Sequence, residues 1–257
     1  MALPALFVSH GAPNVVLHEG PVRNFFRSLG KQLERPRAIV AVSAHWEART
    51  PTVNASEHPK TIHDFFGFEP PLYEMTYGAP GAPELARRIE RLLAGAGMRA
   101  ALDSARGLDH GVWTPLMLMY PQADIPVTQV SVQPFESTRH HFLIGQALRE
   151  LRAEGVLVLA SGNATHNLRA MQPEGSEPPA WVSAFALWLR QAIAGGNTED
   201  LLDYRRAAPF AARNHPTEEH FLPLFATIGA GTPGVAGRLL HQSFSRGVLA
   251  MDAYAFD

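Results

Sequence analysis

The 257-residue chain contains no cysteine. That excludes disulfides, thiolate nucleophiles and cysteine-held metal centres, and it leaves His, Asp and Glu as the side chains able to ligate a metal. Lysine is nearly absent as well: only Lys31 and Lys60 occur, and arginine supplies the remaining positive charge. With a net charge of -2 there is no basic excess of the kind that draws a protein to nucleic acid. No apolar run approaches the ~18–20 residues of a membrane span. The opening MALPALFVSH lacks a basic segment, and its apolar stretch is too short for a secretory signal, so a soluble, cytoplasmic protein without membrane contact is expected. Several catalytic signatures are missing too. There is no G-x-S-x-G elbow, GAPGAP is too proline-rich for a phosphate loop, and His18-Glu19 runs into Gly20, Pro21 and Val22 instead of completing H-E-x-x-H.

What is present is an apolar content of 46%, enough for a sizeable core. Short apolar runs at 5–9, 38–43, 127–132 and 156–160, with a weaker one at 99–102, read as strands buried on both faces. Helical patterns lie between them. GPVRNFFRSLGKQLERP ends at a proline. APELARRIERLLAGAG puts Leu85, Ile89, Leu92 and Leu93 on one side. STRHHFLIGQALRELRAEG opens with Ser/Thr and stops at Gly155. PPAWVSAFALWLRQAIAGG starts on proline and stops at two glycines. This alternation predicts one α/β domain over 1–257, with a central mixed, largely parallel sheet flanked by helices on both faces. Residues 51–83 are rich in Pro, Gly and aromatics and show no periodicity, so they read as a loop packed over a pocket.

Twelve histidines punctuate the chain, and their positions carry more than their number. ALFVSHG, AIVAVSAHWE and VLVLASGNATHNL each end an apolar run with a histidine: His10, His45 and His166. In open α/β sheets ligands bind beyond the carboxyl ends of the strands, so these three are expected to share one edge. His220, in NHPTEEHFLPLF, follows Pro216, Glu218 and Glu219, which look like the first turn of a helix. His215 reads as a cap or a solvated residue, with ligation the alternative. His110, in GLDHGVWTPL, is a candidate because its flanking glycines allow close backbone approach; the plainer reading is a turn histidine bonded to Asp109. His63, in TIHDFF, is placed in the pocket wall, whereas His18, His58, His140, His141 and His241 read as structural. Arg49 and Arg106 read as solvated, with a substrate carboxylate as the alternative partner. Neutral imidazoles bind divalent metals, and three protein ligands with open positions make a catalytic site. The residues by themselves leave oxygenase and hydrolase both open.

Taken in order, SHGAP, VSAHWE, TIHDFFGF, GLDHGVWTPL, ASGNATHNL and HPTEEHFLPL resemble the DODA-type extradiol aromatic-ring-opening dioxygenases, relatives of the protocatechuate 4,5-dioxygenase catalytic chain. The resemblance runs from about residue 4 to the end of the sequence. It implies one divalent metal per chain, iron(II) in working enzymes, and O2-driven opening of a small catechol ring beside its two hydroxyls to give a semialdehyde product. It also implies residue roles. His10, His45 and His220 match the metal ligands, His166 the acid/base histidine, and His110 a second histidine that contacts substrate or shuttles protons. His63, Phe65, Trp46 and Trp113 fall in the matching segments and are expected at the substrate. Protocatechuate enzymes use two histidines and a glutamate; here the third position is His220, and three histidines are also a catalytic zinc shell, so purified protein can hold zinc. Two alternatives follow: a zinc-dependent hydrolase, and a non-catalytic binding protein like the Memo-type relatives of this fold.

Overall fold

The computed structural model describes residues 2–257. Ten strands form: β1 (Ala5–Ser9), β2 (Ala38–Glu47), β3 (Thr52–Asn54), β4 (Ala101–Asp103), β5 (Val127–Val132), β6 (Val156–Gly162), β7 (Arg238–His241), β8 (Phe244–Ser245), β9 (Leu249–Ala250) and β10 (Ala253–Phe256). Eight of them make one sheet in the order β4-β3-β5-β2-β6-β1-β10-β7, and β8 pairs with β9 separately. The central four, β5, β2, β6 and β1, run parallel. The edges are mixed, because β10 lies antiparallel to β1 and β7, and β3 antiparallel to β5. The expected largely parallel sheet is therefore present, extended by a C-terminal antiparallel margin.

Alternate residues of the same apolar strand serve opposite faces, as the pleat requires. On β1, Ala5 and Phe7 join one buried cluster, while Leu6 and Val8 join the other. The first face is covered by α3 (Pro83–Gly95), α5 (Thr138–Leu148), α6 (Ala180–Ala194) and α10 (Leu222–Ala230). The second is covered by α1 (Pro21–Gln32) and α4 (His110–Met119), through Phe26, Leu29, Trp113 and Leu116. Four short helices complete the set: α2 (Pro70–Glu74), α7 (Thr198–Leu202), α8 (Tyr204–Ala207) and α9 (Ala211–Asn214). Among the described residues, no helix is long and apolar enough to cross a membrane.

Three differences from the sequence expectations matter for the site. The loop expected over 51–83 contains β3 and α2, although 55–69 is irregular. The glycines of GLDHGVWTPL do permit close approach, since a Cβ at Gly107 would lie 2.2 Å from the Lys60 carbonyl oxygen, but the segment is no turn: His110 opens α4, whose nine buried residues and internal Pro115 conceal the amphipathic signal. Pro216 does not start a helix. Residues 216–221 are bends and turns, and α10 begins at Leu222, two positions after His220.

Candidate metal centre and active site

His10 lies one residue past β1 and is 1% exposed. Its backbone N–H donates to the Gly162 carbonyl at the end of β6 (3.0 Å), which ties two adjacent strand ends together. His45 lies within β2, which continues past the apolar run to Glu47. Against β5 the register jumps from Ser43↔Ser131 to Glu47↔Val132, so Ala44, His45 and Trp46 bulge from the ladder. A bulge re-aims a side chain, and here it turns the His45 ring toward His10. His220 arrives from the far end of the chain. Its carbonyl accepts from Asn163 N–H (2.9 Å), and a Cβ on Gly162 would sit 2.1 Å from that same oxygen. Only glycine lets the turn lie against the strand end.

The three rings converge on their Nε2 atoms. His45 Nε2 lies 3.0 Å from His10 Nε2 and 3.2 Å from His220 Nε2. The opposite nitrogens all meet acceptors. Ser161 Oγ donates its one hydrogen to the Gly111 carbonyl, so its contact with His10 Nδ1 (2.9 Å) has the imidazole N–H donating. His220 Nδ1 faces Glu219 Oε1 at 3.0 Å, and His45 Nδ1 faces Asp64 Oδ2 at 3.3 Å. A carboxylate only accepts, so each Nδ1 carries the proton and each Nε2 presents a lone pair. Burial pushes His10 and His220 well below the ordinary imidazole range, and His45 to about 4, with the neighbouring histidines adding to the effect. All three are therefore neutral near pH 7. Three lone pairs facing one another make a site that a cation would satisfy. Imidazole nitrogens bound ~2.0–2.1 Å from one ion stand about 3.0–3.4 Å apart. The donor set fits a divalent metal.

Two further histidines border this centre. His166, four residues past β6, stacks on His220 with ring centroids 3.5 Å apart and planes 11° apart. Its backbone N–H donates to the Asn214 carbonyl (3.0 Å), and its ring nitrogens take no hydrogen bond from the described residues. Burial lowers it to about 4, opposed by the charge of Glu219. The His110 ring lies 4.0 Å from that of His45, with Nδ1 3.0 Å from Asp64 Oδ1. The start of α4 is fixed by buried Asp109, which accepts from Ser43 Oγ (2.6 Å), Gln129 Nε2 (2.9 Å) and the Arg106 guanidinium (3.1 Å). Asp109 thus serves the scaffold and is not the partner of the His110 ring. Two donor groups result: His10, His45 and His110, and His166, Glu219 and His220. The Nε2 contact between His45 and His220 joins them, and Glu219 meets the outward nitrogen of His220.

The remaining candidates distribute as follows. Phe65 packs edge-on against His110 (5.7 Å) and His63 (5.7 Å), and so reaches the histidine cluster. His63 bonds the Met75 carbonyl through Nε2 (2.9 Å). Trp113 is wholly buried and spends its indole N–H on the Ile62 carbonyl (3.0 Å), supporting His63 and Phe65 from beneath. Trp46 follows His45 in an extended segment and points the other way, under the Arg106 guanidinium (5.3 Å). Arg106 is not solvated as expected, since it also donates to the His45 carbonyl (3.1 Å); Arg49 is exposed. His215 is not solvated: it is the C-cap residue of α9 and is fully buried, with Nε2 bonding the Ala164 carbonyl (3.0 Å) and its ring against Phe221. Glu218 is taken by Tyr204 and Arg205, which leaves Glu219 as the carboxylate beside His220. The sequence reading missed Ser161, Asp64 and the orienting role of Glu219. A cleft of about 610 Å³ lined by Arg23, Arg27, Lys31 and Arg35 shares no residue with this centre.

A largely parallel sheet whose strand ends meet a turn carrying His220, so that three imidazoles gather with two more at their border, defines an α/β protein with a histidine pocket that could hold a metal. Comparison with known proteins makes the class specific. The family described as the catalytic LigB subunit of aromatic ring-opening dioxygenase matches residues 4–254, and the chain belongs to this family of metal-dependent extradiol dioxygenases. A protein of Beta vulgaris named 4,5-DOPA dioxygenase extradiol is 43% identical over 97% of this chain and 95% of its own length. Its namesake in Escherichia coli K12 is 43% identical over 89% of this chain and 85% of its own length. The crystal structure of an uncharacterized protein from Escherichia coli K12 superposes with a TM-score of 0.84 at 34% identity, covering 99% of this chain and 100% of that one.

Proposed function

We propose that this enzyme opens the ring of a small catechol with O2, that His10, His45 and His220 hold its single metal, and that iron(II) is the working ion. The observation that carries this reading is the convergence of three Nε2 atoms at 3.0 and 3.2 Å, with the Nδ1 atoms of His10 and His220 hydrogen-bonded and that of His45 facing the Asp64 carboxylate. When bound, the metal supplies the positions at which a catecholate and O2 exchange electrons. Zinc suits the same three imidazoles and is expected as an occupant of purified protein, without redox competence.

His166 is neutral at pH 7, and its ring nitrogens are unclaimed by the protein, so it can take the proton of a catechol hydroxyl and return it later. The imidazolium so formed lies beside Glu219, whose charge favours it. His110 meets the substrate from the other side, with Nδ1 held against Asp64. Phe65 and His63 form the wall that receives the ring. The names of the curated relatives put DOPA first among the catechols to try. The test is anaerobic loading with iron(II), followed by oxygen uptake and product mass on a catechol panel led by DOPA. Addition of two oxygen atoms is expected. No uptake with any catechol, together with ester or amide hydrolysis by the zinc form, would replace this reading with a hydrolase.

A further inference from the structure

Asp64 belongs to TIHDFFGF, the loop that carries His63 and Phe65, yet its carboxylate reaches into the histidine cluster. Oδ2 lies 3.3 Å from His45 Nδ1, and Oδ1 lies 3.0 Å from His110 Nδ1. Oδ1 also accepts the backbone N–H of His110 at 2.9 Å. Both ring contacts are close charge contacts short of full hydrogen-bond geometry, and among the described residues no acceptor bonds either Nδ1 atom. The side chain is 22% exposed, so it stands at the edge of the centre and not in its core. One carboxylate thus faces a ring of the proposed metal triad, a ring of the proposed substrate contact, and the first turn of α4.

We propose that Asp64 is a positioning residue that holds His45 as the Nδ1–H tautomer, keeps its Nε2 lone pair for the metal, and sets the orientation of His110. The inference rests on the reading of His10, His45 and His220 as ligands. A ligating histidine commonly donates its other N–H to a carboxylate, which fixes ring and tautomer together. Asp64 is placed to do this for two rings while anchored in the loop that bears Phe65. The position of that loop and the geometry of the centre are therefore set by the same two oxygens. An asparagine here keeps the size but has one acceptor oxygen and an amide that only donates, so one imidazole N–H is left facing a donor. Alanine removes both acceptors.

The test uses the full chain, stripped of metal and titrated with cobalt(II). The readouts are the dissociation constant and the visible d–d spectrum, with near-ultraviolet circular dichroism as a check of fold. Wild-type protein is expected to bind one cobalt(II). Asp64→Asn and Asp64→Ala are expected to bind it about 10–100-fold more weakly with a changed spectrum. Asp64→Glu, which restores a carboxylate, is expected to recover some of that affinity, as mere loop disruption would not. In the iron form, Asp64→Asn should lower kcat and also raise KM, because His45, His110 and the loop shift together. Wild-type affinity and spectrum in either folded variant overturn the proposal. Failure of the wild-type chain to bind cobalt(II) would overturn the ligand reading beneath it.

Discussion

Ser161 sets the state of a single ring. Its hydroxyl donates to the Gly111 carbonyl and receives the Nδ1–H of His10, and both serine and histidine are buried. Ser161→Ala leaves that N–H without an acceptor in a place where an unmet donor costs about 1–3 kcal/mol. Metal affinity should fall about 10–100-fold with the secondary structure intact, as measured by cobalt(II) titration and far-ultraviolet circular dichroism. His166→Ala belongs to the same scale but reads oppositely. It should keep its metal by elemental mass spectrometry and lose about 10²–10⁴-fold in turnover, whereas His10→Ala should lose the metal itself. Near wild-type turnover in the first, or full metal content in the second, would remove those roles. At this scale the sequence was informative about histidines and silent about what orients them. A strand-end histidine stands out against an apolar run. Ser161, Asp64 and Glu219 are common residues with no spacing of their own, and they become partners only when β1 meets β6 and the loop folds over α4.

At the scale of elements, α5 and α10 cross on two glycines. A Cβ at Gly145 would lie 1.9 Å from the Ala226 carbonyl oxygen, and one at Gly229 would lie 2.0 Å from that of Phe142. Gly145→Ala must push the two helices away from each other above the sheet they cover, so a loss of about 1–3 kcal/mol is expected from urea unfolding. An unchanged midpoint would mean that the crossing relaxes freely. Elements with one-sided patterns, such as α3 with its Ile89 and Leu93, could be read directly from their spacing. The helices α4 and α10 could not, because they are apolar nearly all round and buried on every side. A helix of that kind has no period to detect. The strand ends were legible for the opposite reason, since β1, β6 and the first half of β2 are small or apolar on both faces and run into a histidine within a few residues. The bulge at Ala44–Trp46 was invisible, because register is a property of two strands together.

The whole molecule buries more imidazole than its centre uses. His141 and His215 are fully buried outside the proposed triad, and desolvation lowers them to about 4 and about 3. Unfolded, each would titrate near 6.5. Between pH 6.5 and 4 the unfolded chain therefore binds more protons than the native one. Stability conferred by the neutral rings is complete above that window and is lost as pH falls through it, at up to about 1.4 kcal/mol per pH unit for each histidine. Metal-free protein should melt at progressively lower temperature from pH 7 to 5, and His141→Gln should flatten the slope; a flat profile in the parent chain would contradict the burial.

The pairing of β1 with β10, Ala5 against Phe256, also has a consequence for how the enzyme is made. One of the two neighbours of the strand that places His10 is made nearly the whole described chain later, and His220 comes little sooner than that neighbour. His10 and His45 are therefore made well before the proposed third ligand and before the β1 edge is closed. A nascent chain cannot capture its ion with the affinity of the completed fold. On the proposed ligand set, the ion is taken from the pool that the completed fold meets, so the timing of metal supply during expression matters as much as its amount.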